Sequence, residues 1–123
     1  MRAAGLKSIS TVIDSTAVLI KSKHTNNDSL VNLIASRIRG VITAQRYVLC
    51  TYNVRRSALH EATKITPGKR APTVNSLEEE GWVAVQVMVL KQEIASIMDR
   101  LSDKQIGAED ILVMKLDNSR TAP

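Results

Sequence analysis

Residues Trp82 to Leu90 alternate without a break, with Val83, Val85, Val87 and Val89 on one side and Trp82, Ala84, Gln86, Met88 and Leu90 on the other. A period of two is the pattern of a β-strand, and four valines on one side demand a dry layer to pack against. Valine's branched Cβ also suits a pleated sheet better than a helix. The neighbouring sequence offers two helices for that layer. Residues 55–65 place Ala58, Leu59, Ala62 and Ile65 on one face, and Thr66-Pro67-Gly68 stops the helix because Pro cannot continue it and Gly takes the cap. Residues 91–105 turn Ile94, Ile97, Met98 and Leu101 inward, and Gly107 ends the connection.

Three more strands are predicted: Arg46 to Asn53, residues 71–78 with Pro72 at the first turn or at an edge, and Asp110 to Leu116. Glu79, Glu80 and Gly81 turn the chain before the valine strand. From residue 46 the order is therefore βαββαβ. Right-handed crossovers convert that order into a four-stranded antiparallel sheet with two helices on one face, the ferredoxin-like α+β fold. That topology hosts many functions and fixes none.

The stretch before it reads differently. Residues 1–10 suggest a helix start or connector. Residues 11–21 are β-branched and apolar, predicting a strand, and the run Ala17 to Ile20 suggests one covered on both faces. A chain this short has little to cover it with. Residues 22–28 are polar turn formers, with Asn27 or Asp28 as a helix N-cap. Leu30, Leu33, Ile34, Ile38, Val41, Ile42 and Gln45 then recur at helical spacing, with Arg37 and Arg39 off the stripe. The polar tail from Asp117 onward is expected to fray.

Composition narrows the class. In 123 residues, 44% are hydrophobic and 24% charged, which excludes disordered and collagen-like chains. One cysteine permits no internal disulfide and fits a reducing compartment, so a cytoplasmic location is expected. No apolar run approaches the roughly 20 residues of a membrane helix, and Met1-Arg2-Ala3-Ala4-Gly5-Leu6 lacks the apolar core of a signal peptide. The net charge of +5 is uneven: residues 1–45 hold six Lys/Arg against two Asp/Glu, residues 46–123 eleven against ten. A solvated face is the plainer reading of the basic third; a nucleic-acid patch or the border of a phosphate site are the others. With no Phe, two Tyr and one Trp, readout by base stacking is poorly served, and neither a nucleic-acid nor a membrane partner is expected.

Catalytic constellations are missing from the sequence. His24 falls in a polar turn, and His60 stands beside Glu61, which a helix turns away from it. Cys50 sits mid-strand without a CxxC and reads as a buried, inert thiol. Glu78-Glu79-Glu80 reads as a solvated turn rather than a Mg²⁺ site, and no His/Cys/Asp/Glu spacing suggests a metal cage. Neither GxxxxGK[ST] nor GxGxxG occurs. The segment Thr66-Pro67-Gly68-Lys69-Arg70-Ala71-Pro72-Thr73 admits two readings, a helix cap leading into a strand or a loop whose hydroxyls and N–H groups bind a carboxylate or another polar headgroup.

Specific residues carry a resemblance. Gln45-Arg46-Tyr47, Arg56-Ser57-Ala58-Leu59, Ala62-Thr63, Ile65-Thr66-Pro67-Gly68 and Ala71-Pro72-Thr73 resemble the C-terminal regulatory domain of the long-form ATP phosphoribosyltransferases. So do Trp82-Val83-Ala84-Val85, Ile97-Met98-Asp99-Arg100-Leu101 and Gly107-Ala108-Glu109-Asp110-Ile111-Leu112-Val113. Thr-Pro-Gly-x-x-x-Pro-Thr followed by Gly-Ala-x-x-Ile-Leu is fairly specific to that family. Met1 to Leu6 look like the sequence just after the family's phosphoribosyl-pyrophosphate loop, an acidic residue followed by Ser/Thr-Gly-x-Thr, which grips the 5-phosphate at a helix start. The strand over 11–21 resembles the last strand of the catalytic domain, and the helix over 29–45 the one leading into the regulatory domain.

The resemblance implies residues 1–45 as a remnant of the catalytic domain with its linking helix, and residues 46–120 as a histidine-binding regulatory domain of ferredoxin-like fold. The implied family reaction, the first step of histidine biosynthesis, joins ATP to phosphoribosyl pyrophosphate with Mg²⁺, giving phosphoribosyl-ATP and pyrophosphate. Histidine is the implied feedback inhibitor, and dimers and hexamers the implied assemblies. The phosphate loop is not in these 123 residues, so this chain is expected to be inactive alone. The family's histidine contacts fall on Asn53, Lys69, Ala71, Thr73, Met88 and Asp110. Asn53 replaces a family Asp that can pair with the histidine α-amino group, which removes a charge. Asp110 stands where some members have a small residue. The plainer role for Asn53 and Thr73 is that of strand-edge residues. The rival function is a stand-alone ferredoxin-like module that binds a small ligand or RNA.

Overall fold

The structure, a computed structural model, describes residues 5–13, 15–24 and 26–120. The expectations for Met1 to Ala4 lie outside the described residues. A long helix α1 (Asp28–Arg46) leads directly into β1 (Tyr47–Arg55), followed by a 3₁₀ turn (Arg56–Ala58) and α2 (Leu59–Ile65). Next come β2 (Thr73–Ser76), β3 (Trp82–Leu90), a second 3₁₀ turn (Lys91–Glu93), α3 (Ile94–Leu101) and β4 (Glu109–Lys115). The sheet order is β2-β3-β1-β4, with antiparallel neighbours throughout. Each helical crossover skips one strand position, as the ferredoxin-like scheme requires.

The valine strand lies at the centre. Val83, Val85, Val87 and Val89 stand opposite Val54, Tyr52, Cys50 and Val48 of β1. All eight are buried, and Ala62 of α2 with Ile97 and Leu101 of α3 close the core from one face. Ala62 is small because the helix comes close to the sheet there, and a larger side chain would force the two layers apart.

Element ends depart from the periodicity for local reasons. The second helix stops at Leu101 rather than 105 because Ser102 Oγ turns back to the Met98 carbonyl and the Asp103 carboxylate takes the Gln105 N–H. Gly107 and Ala108 then donate to the Asp103 and Leu101 carbonyls. The edge strand shortens to Thr73–Ser76, since Pro72 has no N–H to give and the Leu77 N–H already closes the hairpin onto Trp82.

Two expectations are corrected. No strand forms over 11–21: described residues 5–24 carry neither helix nor strand, and Ile9, Val12, Ile13, Val18 and Ile20 are 77–99% exposed. A strand exists only through a partner's ladder of hydrogen bonds, and among the described residues no element pairs with this segment. The tail does not fray at Asp117, because Asn118 to Arg120 hydrogen-bond to α1. Residues 121–123 lie outside the described residues.

Burial also sets an alkaline limit. It pushes the Cys50 thiol above its ordinary 9.0. It likewise raises Tyr52 above 10.0, with the hydrogen bond to Thr66 opposing and nearby Cys50 adding. Both groups hold their protons longer folded than unfolded, so their contribution is complete below the unfolded pKa and is lost as pH rises. Urea-unfolding midpoints should therefore decline above about pH 9, and Cys50→Ala should remove the first part of that decline. An unchanged decline in the variant would show that other groups cause it.

Candidate functional site

α2 and α3 cover one face of the sheet and leave the other open. Strand register sorts that open face into rows. Asn75, Ala84, Asn53 and Glu109 form one row across the four strands, and Thr73, Gln86, Thr51 and Leu112 the next. Met88, Leu49 and Met114 follow, and Tyr47 beside Leu90 ends the face.

The β1–β4 ladder contains one irregularity. Thr51 pairs with Leu112 while Asn53 pairs with Glu109, so two steps on β1 match three on β4. The extra residue is accommodated at Asp110, which has φ +51°, a left-handed conformation that Asp tolerates better than most residues. The bulge turns Asp110 toward its neighbour, and Asn53 Nδ2 donates to Asp110 Oδ2 at 3.1 Å. Asp110 is exposed and Asn53 half-buried, so the amide holds one carboxylate oxygen and leaves the other accessible.

The Thr66–Pro72 loop builds the opposite end. Thr66 is 1% exposed; its hydroxyl donates to the Ala62 carbonyl at 3.3 Å and lies 2.7 Å from Tyr52 Oη. The Tyr52 hydroxyl is then the donor to Thr66. Gly68 has φ +68°, and a Cβ there would come within 3.1 Å of Val87 Cγ2, so the turn requires glycine. Lys69 Nζ stands 5.0 Å from the centre of the Tyr47 ring, a cation–π contact. Tyr47, Thr66, Gly68, Lys69, Met88 and Glu93 are among the residues around a cavity of about 230 Å³.

The six residues named from the sequence thus fall into two groups. Asn53 and Asp110 touch. Lys69 and Met88 line the cavity, and the Ala71 backbone folds back beside Gly68. Thr73 lies between the groups, on the edge strand opposite Gln86. Lys69 Nζ sits over the first residue of β1, and Asn53 is six residues further along, roughly 20 Å at a strand's rise. One small molecule cannot reach both ends.

Tyr52→Phe should cost about 1–2 kcal/mol of stability, since it removes a buried hydrogen bond and leaves the Thr66 hydroxyl only its bond to the Ala62 carbonyl. Chemical denaturation will check this; a loss indistinguishable from zero would mean that the Tyr52–Thr66 bond does not anchor the loop.

Residues 44–118, more than half of the chain, match the family described as HisG, C-terminal domain. The chain belongs to that family. Its relatives include the ATP phosphoribosyltransferase of Schizosaccharomyces pombe, 54% identical over 122 residues, a match covering 98% of this chain and 39% of that protein. The enzyme of the same name from Yarrowia lipolytica is 53% identical over 120 residues, covering 98% and 40%. That of Saccharomyces cerevisiae is 48% identical over 121 residues, again 98% and 40%. The chain therefore spans about 40% of the length of the curated relatives it matches.

The HisG C-terminal domain also presents open-face residues that sequence reading missed. Thr51 shares a face with Asn53 by the period of two, a signal available in the sequence. Gln86, Asn75 and Glu109 reach the same face only through the register of separate strands. The described residues contain no group of three or more His, Cys, Asp or Glu able to hold a metal ion, and no helix long and apolar enough to cross a membrane.

Proposed function

We propose that this chain is the histidine-sensing C-terminal part of an ATP phosphoribosyltransferase, the enzyme that joins ATP to phosphoribosyl pyrophosphate. The observation that carries the sensing role is the Asn53–Asp110 pair on the open sheet face. The Asn at 53 removes a family carboxylate, and Asp110 supplies one beside it. An amino acid needs a carboxylate for its ammonium group and hydrogen-bond donors for its acid group; Asp110 offers the first, and the Thr73, Thr51 and Gln86 row offers donors nearby. Lys69, at the far end, then steers rather than binds the same molecule, while Met88 borders the Thr73, Gln86 and Thr51 row.

Residues 1–45 are proposed to belong against the remainder of the relatives' longer chain. The exposed apolar stretch before α1 supports this, as do Leu30, Leu33, Ile34, Ile38, Val41 and Ile42 along α1, which are 41–52% exposed. Stripes of that width are stable in water only when something covers them. Mg²⁺ belongs to the proposal as the cofactor of the whole enzyme's reaction. The cytoplasm and a homo-oligomer, dimer or hexamer, complete the proposal.

Two measurements test the reading. Calorimetry with L-histidine should give saturable binding and a raised melting temperature. Salt-sensitive RNA binding without a histidine response would replace the reading with the nucleic-acid module. The purified chain, supplied with ATP, phosphoribosyl pyrophosphate and Mg²⁺, is expected to form no phosphoribosyl-ATP; product formation would overturn its assignment as a non-catalytic part.

A further inference from the structure

The C-terminal segment crosses α1 at a glycine. Gly40 is buried in the interior of a 19-residue helix, although glycine is the poorest helix former after proline. A Cβ at Gly40 would overlap Asn118 Oδ1 and come within 3.0 Å of Arg120 Nε, so the Asn118 and Arg120 side chains occupy the space beside the glycine. Three hydrogen bonds to α1 and one within the tail set them there. The Ser119 N–H donates to the Gly40 carbonyl at 2.9 Å. Asn118 Nδ2 donates to the Arg37 carbonyl at 3.4 Å. Arg120 donates through Nε to Asn118 Oδ1 at 3.0 Å and through Nη1 to Ser36 Oγ at 3.5 Å.

Little else holds α1. Gly40 and Ala44 are its only buried residues, and Ala44 is close to the junction with β1. A helix this long extends about 28 Å, and one attached only at its last turn would pivot there. The tail continues β4, which pairs with β1, which continues α1. Helix, two strands and tail therefore close a ring with a second fixing point at Gly40.

We propose that Asn118–Ser119–Arg120 is a clasp that sets the angle of α1 against the sheet, and thereby orients whatever precedes α1 relative to the open face. The clasp is independent of the identity of any ligand. It is tested in the full chain by measuring the distance between spin labels on cysteines introduced at Asn32 and Lys104, both exposed. Native Cys50 is fully buried and stays unlabelled. The intact chain should give one narrow distance distribution. A chain ending at Asp117 should lose it and lose hydrogen-exchange protection at residues 36–40, with β1 and β3 still protected. Gly40→Ala, whose Cβ meets only the Asn118 and Arg120 side chains and leaves the Ser119 N–H bond to the residue-40 carbonyl in place, should broaden it less. A narrow distribution retained in the chain ending at Asp117 overturns the proposal.

Discussion

Asp110→Asn is expected to weaken histidine binding about 10- to 150-fold, the range for losing a hydrogen bond to a charged group. The substitution keeps the shape and the neighbour. On the proposed placement, what changes is the charge facing the ligand's ammonium group. The double variant Asn53→Asp/Asp110→Asn should recover most of the loss, because it moves the carboxylate across a 3.1 Å hydrogen bond and keeps the partnership. Recovery would also show that the Asp missing at 53 and the Asp present at 110 are one charge in two positions. Calorimetry on both variants decides. Unaltered affinity in Asp110→Asn would sink the placement of the ammonium group, and a double variant as weak as the single would sink the exchange of positions.

Leu101→Ala should lower the melting temperature by about 10–30 °C, taking the usual 2–5 kcal/mol for an emptied core site and the slope expected of a domain this size. Leu101 is fully buried in the core that α3 shares with the central strands. Its carbonyl also receives the Ala108 N–H that starts the approach to β4. A cavity there weakens the helix layer and leaves the sheet without cover. Ile42→Ala serves as the control: Ile42 is 52% exposed, and its loss should change stability by less than about 0.5 kcal/mol. Comparable melting of the two variants would mean that the core does not sit where the valine strand puts it.

Both predictions separate what periodicity reveals from what it hides. The valines of β3 and the Ile97–Leu101 face of α3 are legible because each element's burial repeats within a few residues. The 11–21 segment shows the converse. Its composition is that of a strand, but a strand's hydrogen bonds belong to a partner, and the described residues supply none. Periodicity overshoots the end of α3, where single polar side chains, Ser102 and Asp103, bind the backbone they belong to. Of the candidate site, the resemblance supplied six positions, and strand register with the Thr66–Pro72 loop then spread them along one sheet face, Asn53 and Asp110 at one end, Thr73 and Met88 between, and Lys69 at the other.

The sequence by itself determined the order of elements, the dry face of the sheet and the stop after α2, because spacing, Pro67 and Gly68 act over short distances. Only the tertiary structure decided that Asp110 meets Asn53 across 57 residues, and that Asn118 reaches Arg37 across 81. Both contacts depend on strand pairing, in which one extra residue re-aims a side chain and the end of β4 is delivered onto α1. No local pattern records such a register, since it is fixed by which elements share a core.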